Sequence, residues 1–288
     1  MRILTTVLPF VAIAIYFILF LPLLIILTIL KKWFPKQVSR VAQPFVKYGF
    51  RFVMFFTGTK TVRLGVDKIP RDRAVMFAAN HRGFLDAALA YGSLPVQTGI
   101  VAKKEVKKVP FLSWWMNILY CYFLDRSNPR EGLKMILTSV DNINNGISMF
   151  ICPEGTRSRH MGMNPFKEAS FKMALKTGCP IVPVAMSGSD DLFENSTWGI
   201  TKSVTVVEYG DPIYIDSLSD EERKHIGAYV QGKVAEMLEG HEKYIAKNHS
   251  RVEARKNGTP VFTGVVYPEE EKKAAEIEKA DAQSGAQS

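Results

Sequence analysis

Cysteine is scarce in this chain, with only three residues in 288: Cys121, Cys152 and Cys179. An odd, sparse count without a CxxC pair argues against both a disulfide framework and a structural zinc site. We therefore expect three free thiols that serve as small core residues of a protein in a reducing compartment.

Histidine is also rare, with five residues in the chain. Four of them have no cysteine or carboxylate partner at ligand spacing: His160, His225, His241 and His249. These four are typical surface residues rather than metal ligands. The sequence predicts no metal site and no bound cofactor.

Charged side chains are missing altogether from residues 3–30, ILTTVLPFVAIAIYFILFLPLLIILTIL. About 20 apolar residues suffice to cross a bilayer. The run ends at Lys31 and Lys32 rather than at a small-residue cleavage site, so it predicts a membrane anchor. Pro9 and Pro22 leave two geometries open, a spanning helix and a re-entrant one.

Basic residues are more frequent after this run than before it, which favours a cytoplasmic location for the rest of the chain. We expect a protein of the inner or plasma membrane with its catalytic domain on the cytoplasmic face. The formal charge of +9 fits nucleic acid, an anionic membrane or a phosphorylated substrate. Because the anchor is strong and no basic recognition motif is present, we predict no nucleic-acid partner.

The segment 41–57 is amphipathic, since Arg40, Gln43, Lys47 and Arg51 recur at three- or four-residue spacing. A helix gathers these polar residues on one face. Two interpretations stay open: a helix in the membrane interface with its bases near headgroups, or a core helix with a solvated polar stripe.

Beyond residue 60, short apolar runs alternate with helical patterns. We predict strands at 61–66, 74–79, 98–102, 118–124, 147–152, 181–186 and 203–209. Helices are predicted from Asn128 to Gly146, over 167–177 and over 219–247.

This alternation predicts an α/β fold: a mostly parallel or mixed sheet with helices on both faces, preceded by an N-terminal membrane-anchoring helical segment. The predicted domains are an anchor and interfacial helix over 1–57, a catalytic domain over 58–250, and a charged, disordered or loosely helical tail over 251–288.

The strand at 74–79 leads directly into the sequence NHRGFLD, which contains His81 and Asp86. Positions five apart on an ideal helix differ by about 140° in azimuth, so a turn at Gly83 must bring the two side chains together. A carboxylate that orients an imidazole makes a general base. The alternative is a histidine and an aspartate that merely share a loop.

Three more blocks follow at predicted strand edges: FLDR at 123–126, CPEGTRS at 152–158 and VPV at 182–184. Binding sites in α/β sheets gather at the carboxyl ends of strands. Together with NHxxxxD, these blocks resemble the glycerophospholipid acyltransferase family, particularly its bacterial 1-acyl-glycerol-3-phosphate acyltransferases, over roughly residues 60–215. One departure is Cys152, where the family has an aromatic or larger apolar residue; we interpret it as a packing substitution.

The resemblance implies a role for each matching residue. His81 and Asp86 match the catalytic dyad, and Arg126 matches a ligand of the acceptor phosphate. The PEGTR block implies further substrate-binding residues, namely Glu154, Gly155, Thr156 and Arg157. Lys103 is similar to another phosphate ligand, with Lys104 beside it as an open alternative. The residues implied to line the acyl path are Val182, Pro183 and Val184.

The implied activity is transfer of a fatty acyl group from acyl-CoA or acyl carrier protein to the free hydroxyl of 1-acyl-glycerol-3-phosphate. The expected partners are thus a lysophospholipid, an acyl thioester as co-substrate, and the bilayer. Two alternatives stay open: acylation of another lysolipid or an amino-acid lipid, and a non-catalytic protein that binds anionic phospholipid.

Overall fold

The computed structural model of the protein describes residues 2–158, 162–195, 199–246 and 248. The predicted tail over 251–288 lies outside these residues, and so do His160 and His249. The domain limits at 57 and 250 stay predictions.

Seven strands of the described chain form one sheet in the order β1-β7-β6-β2-β5-β3-β4. Neighbouring strands are parallel, except that β6 and β7 are antiparallel. This mixed sheet confirms the predicted fold class. The strands are β1 (Lys60–Leu64), β2 (Met76–Ala79), β3 (Thr98–Lys103), β4 (Tyr122–Leu124), β5 (Ser148–Ile151), β6 (Ile181–Ser187) and β7 (Val204–Tyr209).

The α-helices include α1 (Arg2–Leu30), α2 (Pro35–Phe56), α3 (Asp86–Tyr91), α4 (Leu112–Ile118), α5 (Pro129–Asn144), α6 (Lys172–Thr177), α7 (Asp220–Lys224) and α8 (Ile226–Glu239), and residues 242–246 are helical as well. Short 3₁₀ turns occupy Val66–Lys68, Lys104–Lys108, Glu168–Phe171 and Ile215–Ser217. The start predicted for α5 is confirmed, because the Asn128 side chain accepts a hydrogen bond from Arg130 N at 3.0 Å.

Two predicted elements are wrong. The run 118–124 is a strand only from Tyr122 onward, because its first residue ends α4, where Trp115 and Ile118 are buried three residues apart on one face. The helix predicted over 219–247 breaks at His225 into α7 and α8. There the Glu168 carboxylate, from a distant turn, accepts Gly227 N at 3.0 Å and so caps α8.

Strand β2 shows how the sheet buries its two faces. Phe77 and Ala79 point into a core shared with α1, α2, α3 and α4, whereas Met76 and Ala78 point into a core shared with α5, α6 and α8. Alternate residues of a strand face opposite sides of the sheet. Strands covered on both faces read as continuous apolar runs, as the sequence shows.

The N-terminal helices form a pair that lies against the first of these faces. Helix α1 is long and apolar enough to cross a membrane, and most of its surface is exposed, although Leu24 and Leu27 are buried in the core. The Tyr16 hydroxyl donates to Phe45 O at 2.6 Å and ties α1 to α2.

Helix α2 turns part of its polar stripe toward the protein, while Arg40 and Arg51 stay exposed. Gln43, Lys47 and Arg51 donate to the carbonyls of residues 96, 94 and 92 over 2.5–2.9 Å. The opposite face exposes large apolar side chains, and Phe55 is 75% exposed. Neither interpretation is met in full, because three of the four polar residues bind protein carbonyls rather than solvent or headgroups, whereas the outward apolar face fits the membrane interface.

A prediction concerns Asn80, whose buried side chain joins β2 to β6 by accepting from Met186 N (2.7 Å) and donating to Met186 O (2.9 Å). Asn80→Ala leaves both backbone groups without partners in the core. We expect it to lower the free energy of unfolding by roughly 2–4 kcal/mol. Thermal unfolding in detergent measures the effect, with exposed Asn145→Ala as the control; equal Tm values for the two variants would contradict the prediction.

Candidate active site

The site residues predicted from the sequence lie at the carboxyl ends of the parallel strands, along one side of the sheet. His81 follows β2 at the centre, Glu154 and Arg157 follow the adjacent β5, Lys103 ends β3, and Arg126 follows β4. These four strands are parallel, so their carboxyl ends meet at the same edge. Ligands of open α/β sheets bind at such an edge.

A tight turn between β2 and α3 brings His81 and Asp86 together. Nδ1 of His81 lies 2.8 Å from Oδ2 of Asp86, and Asp86 is fully buried at the start of α3. The turn closes through a hydrogen bond from Asp86 N to Gly83 O at 3.2 Å. Gly83 is required here, since a Cβ would lie 2.8 Å from Ser189 Oγ.

The same carboxylate oxygen also holds the turn itself. Asp86 Oδ2 accepts hydrogen bonds from Arg82 N at 2.7 Å and Gly83 N at 2.9 Å, in addition to the imidazole. Because the imidazole donates from Nδ1 to this carboxylate, the lone pair of Nε2 remains available to accept a proton. The His81 side chain is 21% exposed, so a ligand at the sheet edge can reach it.

Glu154 supports the dyad from the neighbouring strand. Its Oε1 accepts His81 N at 2.6 Å, and its Oε2 accepts Asn164 N at 2.8 Å as well as the Ser158 hydroxyl. Burial raises the pKa of Glu154, and these hydrogen bonds act in the opposite direction. Both oxygens are thus engaged by the protein, and Glu154 fixes the backbone of the candidate base.

Arg157 is paired with a residue that the sequence did not reveal. Its guanidinium lies 2.7 Å from Glu194 Oε1, and the same oxygen accepts Phe84 N at 2.6 Å. Glu194 therefore links Arg157 to the turn that carries His81. Burial raises the pKa of Glu194, so its carboxyl takes up a proton at a higher pH than an ordinary glutamic acid.

Arg82 is a second residue that sequence reasoning missed. It is buried and forms an ion pair with Asp190 at 2.9 Å, and it donates to Ser158 O at 3.1 Å. The side chain thus joins the His81 turn to the segments after β5 and β6. The sequence shows only a charge between a histidine and a glycine, which gives no sign of this burial.

The remaining predicted cations lie farther along the same edge. Lys103 is 58% exposed and lies 3.4 Å from the Glu105 carboxylate, whereas Lys104 pairs with Asp125 at 2.7 Å. Arg126 is exposed and has no hydrogen bond or ion pair with any residue that the structure describes. Its strand is three positions from β2, which corresponds to roughly 14 Å.

The turn after β5 has one further feature, the positive φ of 75° at Gly155. A Cβ there would lie 2.7 Å from Lys167 Nζ, so the glycine lets this lysine approach the turn. Lys167 was not singled out from the sequence, and it adds a cation beside the Gly155 turn. The neighbouring Thr156 is exposed.

The three residues predicted for the acyl path lie within β6. Val182 and Val184 are fully buried and belong to the core beneath α1 and α2. Pro183 pairs with Ala78 in the parallel ladder. Their role along an acyl path stays a prediction.

The Cys152 thiol beside this site is held neutral. Burial raises its pKa well above the ordinary value, and the charges of Asp86 and Glu154 act in the same direction. A thiol in such surroundings is a poor nucleophile.

Comparison with known proteins identifies the class. The family model described as "Acyltransferase" matches residues 62–187. A chloroplastic 1-acyl-sn-glycerol-3-phosphate acyltransferase of Brassica napus is 31% identical over 58% of this chain and 50% of the relative, so the chain spans half of that protein's length. The Borreliella burgdorferi 1-acyl-sn-glycerol-3-phosphate acyltransferase is 26% identical over 65% of this chain and 74% of the relative.

A solved structure agrees over a longer stretch. The Thermotoga maritima 1-acyl-sn-glycerophosphate acyltransferase superposes with a TM-score of 0.63 at 25% identity, covering 82% of this chain and 98% of that one. Residues 62–187 therefore match an acyltransferase domain, and the bacterial relatives support the glycerophospholipid acyltransferase family that the sequence blocks predicted. Its apolar N-terminal helix and its bacterial relatives indicate that it associates with a membrane.

A prediction follows from the Arg157–Glu194 pair, because an anion must compete with the Glu194 carboxylate for the guanidinium. We expect Glu194→Gln to bind sulfate about tenfold more tightly than the natural protein. The difference should shrink as the pH falls through the raised pKa of Glu194, because protonation then neutralises the same carboxyl. Sulfate keeps its charge over this range, and binding is measured as a shift in Tm.

Two variants control this experiment. Glu236→Gln removes an equivalent charge from an exposed pair with Lys233 and should leave sulfate binding unchanged. Arg157→Ala should abolish the gain when combined with Glu194→Gln. A gain that persists without Arg157 would show that the anion binds elsewhere.

Proposed function

We propose that this protein transfers a fatty acyl group from an acyl thioester to the free hydroxyl of 1-acyl-glycerol-3-phosphate, forming phosphatidic acid. The observation that carries the proposal is the 2.8 Å contact between His81 Nδ1 and Asp86 Oδ2 at the carboxyl edge of the sheet. The names of the relatives, which are 1-acyl-sn-glycerol-3-phosphate acyltransferases, support the same reaction.

In the proposed reaction, Nε2 of His81 accepts the proton of the acceptor hydroxyl as the oxygen attacks the thioester carbonyl carbon. The resulting tetrahedral intermediate collapses, the C–S bond breaks, and the sulfur leaves as a thiolate. The imidazolium then returns its proton to this thiolate, so the enzyme ends in its starting state. Asp86 stabilises the imidazolium and keeps the ring in the tautomer with a basic Nε2.

The phosphate of the acceptor needs several charge-assisted donors. We assign this role to Arg157, whose planar fork can bind two phosphate oxygens once Glu194 is displaced. Arg126 and Lys103 lie on the same edge, and both have exposed side chains that can extend toward the ligand. Gly155 and Thr156 form the turn between these cations and the dyad.

The proposed location is the cytoplasmic face of the inner or plasma membrane. Lys31, Lys32 and Lys36 follow α1, and a basic segment at this position favours the cytoplasmic side. The outward apolar face of α2 supports a position at headgroup depth, where a lysophospholipid presents its hydroxyl and phosphate. Its donor is acyl-CoA or an acyl carrier protein carrying the same thioester.

The proposal is tested by His81→Ala, with thiol release from acyl-CoA measured in the presence of 1-acyl-glycerol-3-phosphate. Loss of the general base should lower kcat by roughly 10²–10⁴-fold. Because Asp86 still accepts Arg82 N and Gly83 N, and Glu154 still accepts the amide of residue 81, the turn should persist and the variant should stay folded. Exposed His225→Ala serves as the control. Wild-type turnover in purified His81→Ala would overturn the assignment.

A further inference from the structure

Two cavities lie side by side along α2, away from the candidate active site. The first is an apolar groove of about 470 Å³ between α1 and α2, lined by residues such as Ile15, Leu19, Phe45 and Phe52. The second is a polar pocket of about 500 Å³ between α2 and the loops that precede β2, β3 and β5. Pro44 and Tyr48 line both cavities, so the two are adjacent.

The residues at this boundary suit a transition from apolar to polar surroundings. Pro44 has no backbone N–H, so the carbonyl of Arg40 lacks its usual helical donor. Tyr48 is exposed, and the Arg51 guanidinium carbon lies 5.6 Å from its ring centroid. A tyrosine with an apolar ring and a polar hydroxyl is typical of the membrane–water interface.

The polar pocket carries an excess of positive charge. Four cationic side chains line it, namely Arg40, Lys47, Arg71 and Arg73, against the single carboxylate of Asp72. That carboxylate is already paired with Arg73 at 2.8 Å.

The other cations of the pocket lack a counter-charge. Arg40 and Arg71 have no hydrogen bond or ion pair with any residue that the structure describes. Burial and the charges of Arg51, Arg63 and Arg71 lower the pKa of Lys47. Like charges held together without carboxylates favour an anionic ligand.

The pocket lies at the opposite edge of the sheet from His81. Ala74 precedes β2, Gln97 immediately precedes β3, and Ser148 begins β5, so the pocket faces the amino ends of these strands. Seven residues of extended chain separate Ala74 from His81, which corresponds to roughly 20 Å. The pocket is thus distinct from the site proposed for acyl transfer.

We propose that these two cavities form one binding site for an anionic glycerophospholipid of the bilayer. The lipid phosphate binds Arg40 and Arg71, and one acyl chain lies in the groove between α1 and α2. An apolar groove beside a cationic pocket favours an anionic lipid over free phosphate, because free phosphate has no acyl chain to fill the groove. The inference does not depend on the proposed acyl transfer, since none of these residues belongs to the catalytic edge.

Native mass spectrometry of the full chain, purified in detergent, tests this site with added phosphatidylglycerol. Arg40→Gln combined with Arg71→Gln should raise the apparent Kd of one bound lipid about tenfold or more, through loss of two charge-assisted contacts. A matched control, Lys36→Gln with Lys107→Gln, removes two exposed cations outside the pocket and should change the Kd little. If the Kd rose equally in the two double variants, the effect would come from net charge alone, and the proposal would be overturned.

Binding of other ligands distinguishes the contribution of the cationic pocket from that of the apolar groove. Phosphatidylcholine with the same chains should bind more weakly, and so should inorganic phosphate and the deacylated headgroup. If the deacylated headgroup bound as well as the lipid, the groove would play no part and the lipid assignment would fail. Acyl transfer by the Arg40→Gln, Arg71→Gln variant should equal that of the natural protein; a parallel loss of activity would instead make the pocket part of the catalytic site.

Discussion

One carboxylate oxygen holds the candidate active site together. Oδ2 of Asp86 accepts three hydrogen bonds from a single turn. Two come from the backbone of Arg82 and Gly83, and the third from the imidazole of His81. The interaction that orients the candidate base is therefore the same one that folds the turn. A variant that lost this turn would therefore also lose the contact between His81 and Asp86.

The surrounding structure reinforces this turn from three directions. Glu154 on the β5 side holds the backbone of His81, Arg82 reaches the segment after β6, and Glu194 holds the amide of Phe84. Each contact ties the turn to a different segment of the chain, and such support is what a preorganised site requires. Helix α2 binds the loop before β3 through polar side chains and exposes its apolar face. This orientation presents an apolar surface to a membrane.

Much of this architecture was predictable because local signals are strong. Apolar runs mark β2, β5 and β6, an asparagine cap begins α5, and the motif blocks place His81 and Arg157 at one edge. What could not be predicted depends on contacts between distant segments. Glu194 accepts a hydrogen bond from Phe84 N, which lies 110 residues away in the sequence. Glu168 likewise caps α8 from a distant turn. The mistaken strand at 118–121 arose from apolar residues that serve a helix and a strand equally well.

The most direct measurement of the central claim is the kinetics of Asp86→Asn with saturating acyl-CoA and 1-acyl-glycerol-3-phosphate. An amide can no longer stabilise the imidazolium, so the account predicts that kcat falls by at least about 10²-fold. KM for both substrates should stay nearly constant, because Asp86 is buried behind the ring and contacts neither ligand. An unchanged kcat in a folded variant would contradict the account.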